Sequence, residues 1–591
     1  MIYKELLEKY QKDLTKTIGL SDNISIWRSI AGFSIPIIIY LIIKSDQQIL
    51  LALLLLSVLV IFIILVRKHT IVQKEKDRIN ALVEINKNEI AFCESQVYPG
   101  KNGAEYNVDN SDYAYDLDFF GDLSLYHHLN RTFTYIGGQN LAEKLLECPV
   151  KESVLLDRQT SIEELSSKIA WRQTFSSSAF LVNDQKKDYQ FLIQWAKQDS
   201  VVTKPWVRLL AYCLPVFLSI SYFLFFVFDF AFGYTLGNVL FLMNLGFAGS
   251  YLKDIKSELD ASDNLERILS HYSSLLKEIE SEKFESAHLQ ALQKKLQTNQ
   301  EKASSAVKSL SIIYNNLNSA ANPIGAAIFN GLFLFHLHTF INLRVWKSKF
   351  SENIIVWLEV MGEIEALCSL ANFRYNNPDY TFPNINYHNG IAFTNMGHPL
   401  IAKSKRICND INFDETQFYI LTGSNMSGKS TFLRTLGINL VLGGIGAPVC
   451  ASHASIHPKK VLVSMRLSDS LSNAESYFYA EVKRLKYILD SVQSEDCFVL
   501  LDEILRGTNS EDKQFGTMEY IKRLISTTVL GIIATHDLEV CKLEEAYPDV
   551  LSNRNFSVEI VNNELAFDYK LRQGICNSKS ASFMMKKMGV I

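Results

Sequence analysis

No two of the nine cysteines stand in a Cys-x-x-Cys pair, and no group of Cys and His has the spacing of zinc ligands. That argues against a structural zinc site, and the scatter of the cysteines points to reduced, mostly buried thiols. Positive charge is not in excess: 59 Lys and Arg against 63 Asp and Glu leave a formal net charge of −4, with a pI near 6.3. A global basic signature of nucleic-acid binding is therefore missing, and DNA contact would have to come from a local patch. Internal repeats and low-complexity tracts are also lacking. Hydrophobic residues make up 48% of the chain and mean hydropathy is +0.05, which excludes a many-span transporter and suits a soluble protein with a few spans added. At 591 residues there is room for several domains, each with its own core.

Against these absences stands one dense local pattern. Gly423-Ser424-Asn425-Met426-Ser427-Gly428-Lys429-Ser430 has the full spacing of a phosphate-binding loop and follows the apolar run Phe418-Tyr419-Ile420-Leu421. Gly423 and Gly428 let backbone N–H groups curl around a phosphate for which side chains leave no room, Lys429 neutralises the outer phosphates, and the Ser430 hydroxyl completes a magnesium shell. A helix is expected to begin at Ser430-Thr431-Phe432, its positive end aimed at the same anion. The pattern implies a user of ATP or GTP.

Two further apolar strands carry polar ends. Cys497-Phe498-Val499-Leu500-Leu501 runs into Asp502-Glu503, as a buried parallel strand would. Asp502 is placed to hold magnesium and Glu503 to orient or deprotonate the attacking water. Val529-Leu530-Gly531-Ile532-Ile533-Ala534 ends in Thr535-His536-Asp537, and His536 at a strand's carboxyl edge sits where open α/β sheets bind ligands, in reach of a γ-phosphate. Farther on, Phe556 to Val561 and Leu565 to Tyr569 alternate around Asn562-Asn563, a hairpin signal at the edge of the same sheet.

Taken together, these segments resemble the MutS family of ATPases. Thr422 to Thr431 is similar to its phosphate loop, with Ser424 and Ser427 where Pro and Gly are usual. Leu501-Asp502-Glu503-Ile504-Leu505-Arg506-Gly507-Thr508-Asn509-Ser510 resembles the acidic strand and its Arg-Gly-Thr loop. Ser476-Tyr477-Phe478-Tyr479-Ala480-Glu481 resembles a Ser-Thr-Phe segment, with Tyr477 in place of Thr. The resemblance implies that Ser476 reaches the nucleotide of a dimer partner. Gly397-His398-Pro399-Leu400-Ile401 and Cys408-Asn409-Asp410-Ile411 resemble the entry to the ATPase domain, with Ile407 near the base. Upstream, Asp116 to Leu125 and Thr134 to Gly138 resemble the start of the helical core, or lever, and Trp357 to Pro378 its return helix. Between them Leu265, Ile268, Tyr272, Leu275 and Ile279 recur on one helical face, as in a helix packed on its own neighbours. The family's mismatch-reading and connector domains are not recognisable. The triplets Phe92-Cys93-Glu94 and Phe413-Asp414-Glu415 are read as coincidences, so direct mismatch recognition is not expected.

In place of a reader stand apolar runs. Trp27 to Ile43 and Ile49 to Val66 are apolar but for Arg28, Ser29, Ser34, Pro36 and Ser57. They match a bilayer's need for about 20 residues, with about 17 as the lower limit. Lys44 to Gln48 would form the hairpin between them. Two spans without a small-residue cleavage pattern argue against a signal peptide. A second pair is expected at Leu209 to Phe228 and Tyr234 to Tyr251; the latter, with Asn238 and Asn244, also reads as a buried soluble helix. Positive residues flank the open ends (Lys4, Lys9, Lys12, Lys16, Arg28; Arg67, Lys68, Lys74, Lys76; Lys204, Arg208; Lys253, Lys256), while the hairpin tips carry only Lys44. Both termini are then expected in the cytoplasm. Ile324 to Phe335 is read as lever core, since one more span would place the ATPase on the wrong side.

The expected architecture is an α/β P-loop ATPase domain of ABC-like, MutS type at 381–591. Ahead of it come an N-terminal segment at 1–26, a transmembrane hairpin at 27–66, a helical linker at 67–115, and an all-α lever at 116–380 carrying the second hairpin at about 209–251. Expected ligands are ATP and Mg2+, the latter on Ser430 and Asp502, with Lys429, Glu503 and His536 as catalytic residues. Expected partners are a second copy of the chain, the lipid of an inner or plasma membrane and, for a DNA-handling output, double-stranded DNA. Two outputs stay open: a DNA-handling ATPase, or a membrane-coupled switch that no longer binds DNA.

Overall fold

The computed structural model describes residues 2–108, 111–198, 203–259, 265–298, 301–319, 322–386, 390–424, 426–466, 477–561 and 564–576. The chain opens with two helices, Ile2–Lys44 and Gln48–Ser95, folded back on each other so that Arg28 meets His69 at 3.3 Å and Lys4 meets Glu94 at 3.8 Å. Both run unbroken through positions 26 and 66, so the apolar and polar segments expected on either side belong to single rods. Ile30, Phe33, Leu53, Leu54 and Ile61 in the apolar halves stay exposed, whereas Ile79, Leu82, Val83, Ile85 and Phe92 farther along are buried. A second pair, Pro205–Phe228 and Ala231–Gly249, packs closely where Ser221 Oγ donates to the Gly233 carbonyl at 2.7 Å. These four helices are long and apolar enough to cross a membrane.

The run from Ile324 to Phe335 departs from the expectation of a lever core. It splits at Leu334, which has φ +50°, into the short helix Pro323–Phe333 and the long helix Phe335–Asn376. Leu337, Phe340 and Ile341 beyond the break turn inward, but Ile324, Ile328, Phe329 and Phe333 are 73, 49, 52 and 53% exposed. Apolar composition continued through the break, while burial did not.

Phe335–Asn376 is the spine of the helical part. Its Glu365, fully enclosed, accepts from the backbone N–H groups of Phe133 at 2.6 Å and Thr134 at 3.2 Å and pairs with the Thr134 hydroxyl. Near its end Asn372 donates to Glu89 at 3.0 Å, and Asn376 accepts from the Tyr3 hydroxyl at 2.8 Å. Glu89 in turn holds Arg131 at 2.5 Å, whose guanidinium lies 3.8 Å over the Tyr98 ring. Leu265–Ser281 buries Leu265, Ile268, Tyr272, Leu275 and Ile279 on one face, within the chain's own core.

The C-terminal part is α/β. Its six-stranded sheet has the order Glu564–Gln573, Leu551–Val561, Phe418–Gly423, Leu530–Thr535, Cys497–Asp502, Lys460–Ser464; the last five are parallel and the first pairs antiparallel at the edge. The three innermost strands are wholly buried, as a sheet covered on both faces requires. Tyr419 and Leu421 join a hydrophobic cluster that continues through Leu433 and Leu436 to Leu117 and Phe119 of the helical part. Phe418 and Ile420 face the opposite layer. Leu551–Val561 and Glu564–Gln573 pair as the hairpin expected at the sheet edge, and Asn562-Asn563 lies outside the described residues. Neither Phe-x-Glu triplet presents a free wedge: Phe92 and Phe413 are 6 and 3% exposed.

Candidate active site

The loop between Phe418–Gly423 and the helix Lys429–Gly444 lies at the carboxyl edge of the sheet, where parallel α/β sheets gather ligands. Gly428 has φ +101°, and a Cβ there would meet the Tyr569 ring at 3.0 Å; a Cβ on Gly423 would meet Ser427 Oγ at 2.6 Å. Both glycines are thus required by the turn and its close packing. Lys429 is buried and donates from Nζ to the carbonyls of Gly423 at 2.7 Å and Ser424 at 3.1 Å. Burial lowers its pKa, against the pull of Glu503 and Asp502. Ser430 Oγ donates to Asp502 Oδ2 at 2.6 Å. Burial raises the Asp502 pKa, opposed first by that hydrogen bond.

The next residue, Glu503, adopts φ +50°, a left-handed conformation that a non-glycine residue enters at a cost. It is held there by its N–H, which donates to the Ala534 carbonyl at 2.9 Å. His536 Nδ1 comes within 3.4 Å of Glu503 Oε1, and Arg506 donates to the carbonyls of Glu503 at 2.9 Å and Asp502 at 3.0 Å. Behind this turn Glu481, 2% exposed, accepts from the backbone N–H groups of Leu505 at 2.6 Å and Arg506 at 3.1 Å.

A cavity of about 560 Å³ opens in front of the loop. Ser424, Met426, Ser427, Gly428, Lys429, Ser430 and Thr431 line it, with Asp502, Glu503 and Ile407. The candidate residues at 407, 423–424, 426–431 and 502–503 are therefore neighbours, with His536 beside Glu503. Asn425 and Ser476 lie outside the described residues. Ser424 Oγ and Ser427 Oγ are buried with no hydrogen-bond partner among the described residues. These are donors of the kind that phosphate oxygens accept from, and with the Ser430–Asp502 pair of oxygen ligands they fit a nucleotide with its magnesium.

Sequence reading gave no role to Glu481, Arg506, His398 or Tyr569. Glu481 and Arg506 lie inside recognised motifs; the bonds from Glu481 to the 502–506 turn are tertiary, while those of Arg506 are local to the turn. His398 lines the cavity, and burial with Arg434 and Arg406 nearby pushes its pKa down to about 4. Tyr569 arrives from the edge hairpin, about which the loop motif says nothing. Asp118 reaches the helix after the loop, 3.3 Å from Arg434, and also pairs with Arg466; Asp116 accepts from the N–H groups of Met465 at 2.9 Å and Arg466 at 2.6 Å. The helical part is in this way tied to the phosphate-loop helix.

Residues 419–589 match the family model described as MutS domain V. The chain is 34% identical over 225 residues to the DNA mismatch repair protein MutS of Clostridium botulinum (strain Okra / Type B1), covering 36% of this chain and 24% of that protein. It is 28% identical over 260 residues to MutS protein homolog 4 of Homo sapiens, covering 42% of this chain and 27% of that one. The match thus spans about a quarter of each relative's length. It takes in the phosphate loop, the acidic strand and the sheet that brings them together, and over this part the chain is similar to the MutS family.

Proposed function

We propose that the protein is a membrane-anchored, magnesium-dependent ATPase that works as a homodimer. The observation carrying this reading is the convergence of Lys429, Ser430, Asp502 and Glu503 on one cavity whose Ser424 and Ser427 hydroxyls lack partners among the described residues. Lys429 and the loop N–H groups would hold the phosphates, while Ser430 and Asp502 would hold magnesium. The metal, when bound, neutralises charge on the phosphate oxygens. Glu503 would orient the attacking water and accept its proton, with His536 beside it toward the γ-phosphate. Ile407 would lie against the base, and Ser476 would enter from the partner subunit. The four apolar helices and the charge bias of their flanks support an anchor with both termini in the cytoplasm.

For the output, the unbroken rods support a membrane-coupled switch. Ile2–Lys44 and Gln48–Ser95 run from apolar tips to the Glu89–Arg131–Asn372 node at the end of the spine. The names of the relatives support a DNA-repair role as the second reading. Hydrolysis by the full-length protein in detergent, with and without duplex DNA over a salt series, tests both. Hydrolysis lost in Lys429→Ala and indifferent to DNA supports the switch. Stimulation that falls steeply with salt supports DNA handling, because phosphate contacts release counterions. No hydrolysis by the wild type sinks the ATPase reading.

A further inference from the structure

We propose that Pro323–Phe333 is a fifth membrane-embedded element, a half-helix that enters one leaflet beside the second hairpin and does not cross. The inference rests on the membrane reading of that hairpin and extends it. The chain carries no Asp, Glu, Lys or Arg between Lys308 and Arg344. Within that stretch the helix has 11 residues, about 16 Å at 1.5 Å per residue, against a hydrocarbon core of about 30 Å. It is too short to span, and its end connects directly to the spine.

The helix is seated on Ala231–Gly249. Asn244 of that helix, fully buried, donates from Nδ2 to the Gly331 carbonyl at 2.8 Å, and Gly331 lies so close to the Phe241 ring that a Cβ would come within 2.2 Å of it. The outward side chains Ile324, Ile328, Phe329 and Phe333 then continue the apolar surface that Val239, Leu242 and Met243 present on the hairpin. That continuity identifies the occupant as lipid acyl chains.

Three backbone groups at the helix break find partners within the protein. Gly331, in the last turn, has an orphan carbonyl, which Asn244 takes up. The His336 N–H, in the first turn of the spine, donates to Asn330 Oδ1 at 3.0 Å. The Leu334 N–H donates to the Asn330 carbonyl at 3.0 Å. Hydrocarbon imposes this requirement, since an unpaired amide there costs several kcal/mol. Leu334 and Leu337 pack with Ala211 and Ala248. These lie near the ends of the hairpin helices that face Arg208 and Lys253, which sets the insertion in the leaflet on that side.

The test places the photo-crosslinking residue benzoyl-phenylalanine at Phe329, and separately at Ile328, in full-length protein reconstituted into phosphatidylcholine vesicles. Leu54 and Phe223, 48 and 57% exposed on the first and second hairpins, serve as references. Lipid adducts at position 329 or 328 in a yield comparable to Phe223 are expected. Adducts at 54 and 223 with none at 328 or 329, or with crosslinks there to a second chain, would overturn the half-helix and leave the anchor standing. No lipid adduct at any of the four positions would remove the membrane reading and the half-helix with it.

Discussion

Glu503 sits where the main chain is bent into a left-handed turn, so its side chain points into the cavity beside Ser430 and Lys429 while its N–H stays bonded to the neighbouring strand. A residue held in this way changes function with little change in fold. Glu503→Gln is expected to keep nucleotide affinity and to slow turnover by about 10²–10⁴-fold, the range for loss of a general base. Single-turnover hydrolysis beside equilibrium nucleotide binding checks it, and an unchanged rate would take Glu503 out of the reaction. Glu481 acts one layer behind. Its carboxylate receives two N–H groups of the turn, and Glu481→Ala takes the acceptor from both part-buried donors, at roughly 1 kcal/mol each. The expected result is a lower Tm together with a fall in kcat at near-constant KM. A lower Tm with normal kcat would make it a structural residue only.

Between elements, the helical part is held by buried polar contacts to the spine as well as by apolar packing. Glu365 joins the spine to Phe133 and Thr134, and burial pushes its pKa from the ordinary 4.5 up to about 7. The folded state therefore binds the proton more tightly than the unfolded chain. This contribution to stability is fully present below 4.5 and is lost as pH rises through about 7. Glu365→Gln is expected to flatten that part of the pH profile of Tm while retaining acceptors for the same N–H groups. A profile identical to wild type would show that Glu365 does not titrate in this range. The neighbouring Gly137 leaves no room for a side chain, since a Cβ would fall 2.0 Å from Glu365 Oε2. That contact explains the glycine in a helix where alanine would otherwise be favoured.

Across the whole molecule, the spine meets the second hairpin at Leu337 and Ile341, reaches the first hairpin's rods at Asn372 and Asn376, and leads into the α/β part. A rearrangement at the phosphate-loop helix has a physical route outward through Arg434 and Asp118 to the helical part. The proposed dimer gives the prediction at this scale. Mixing Ser476→Ala chains with Lys429→Ala chains rebuilds one complete site per heterodimer. With random pairing in a two-fold dimer, hydrolysis is expected to return to about a quarter of the wild-type rate. A mixture no more active than its components would count against the in-trans serine.

The sequence by itself determined which residues make up the candidate site and the kind of elements that carry it. Phosphate loops, wholly buried parallel strands and apolar spans are local patterns, set by backbone conformation and by side-chain transfer from water, and each is readable within one segment. Lys429, Ser430, Asp502 and Glu503 were legible on that basis, as were the two hairpins as apolar runs. Only the tertiary structure decided what depends on meetings between distant segments. It brought Glu481 behind the turn at Glu503, Tyr569 over Gly428, and Asp118 onto Arg434. It also separated Pro323–Phe333 from the lever core. An apolar run records a preference to leave water, and whether protein or something else receives it is set by the backbone break at Leu334 and by the neighbour against which the helix packs.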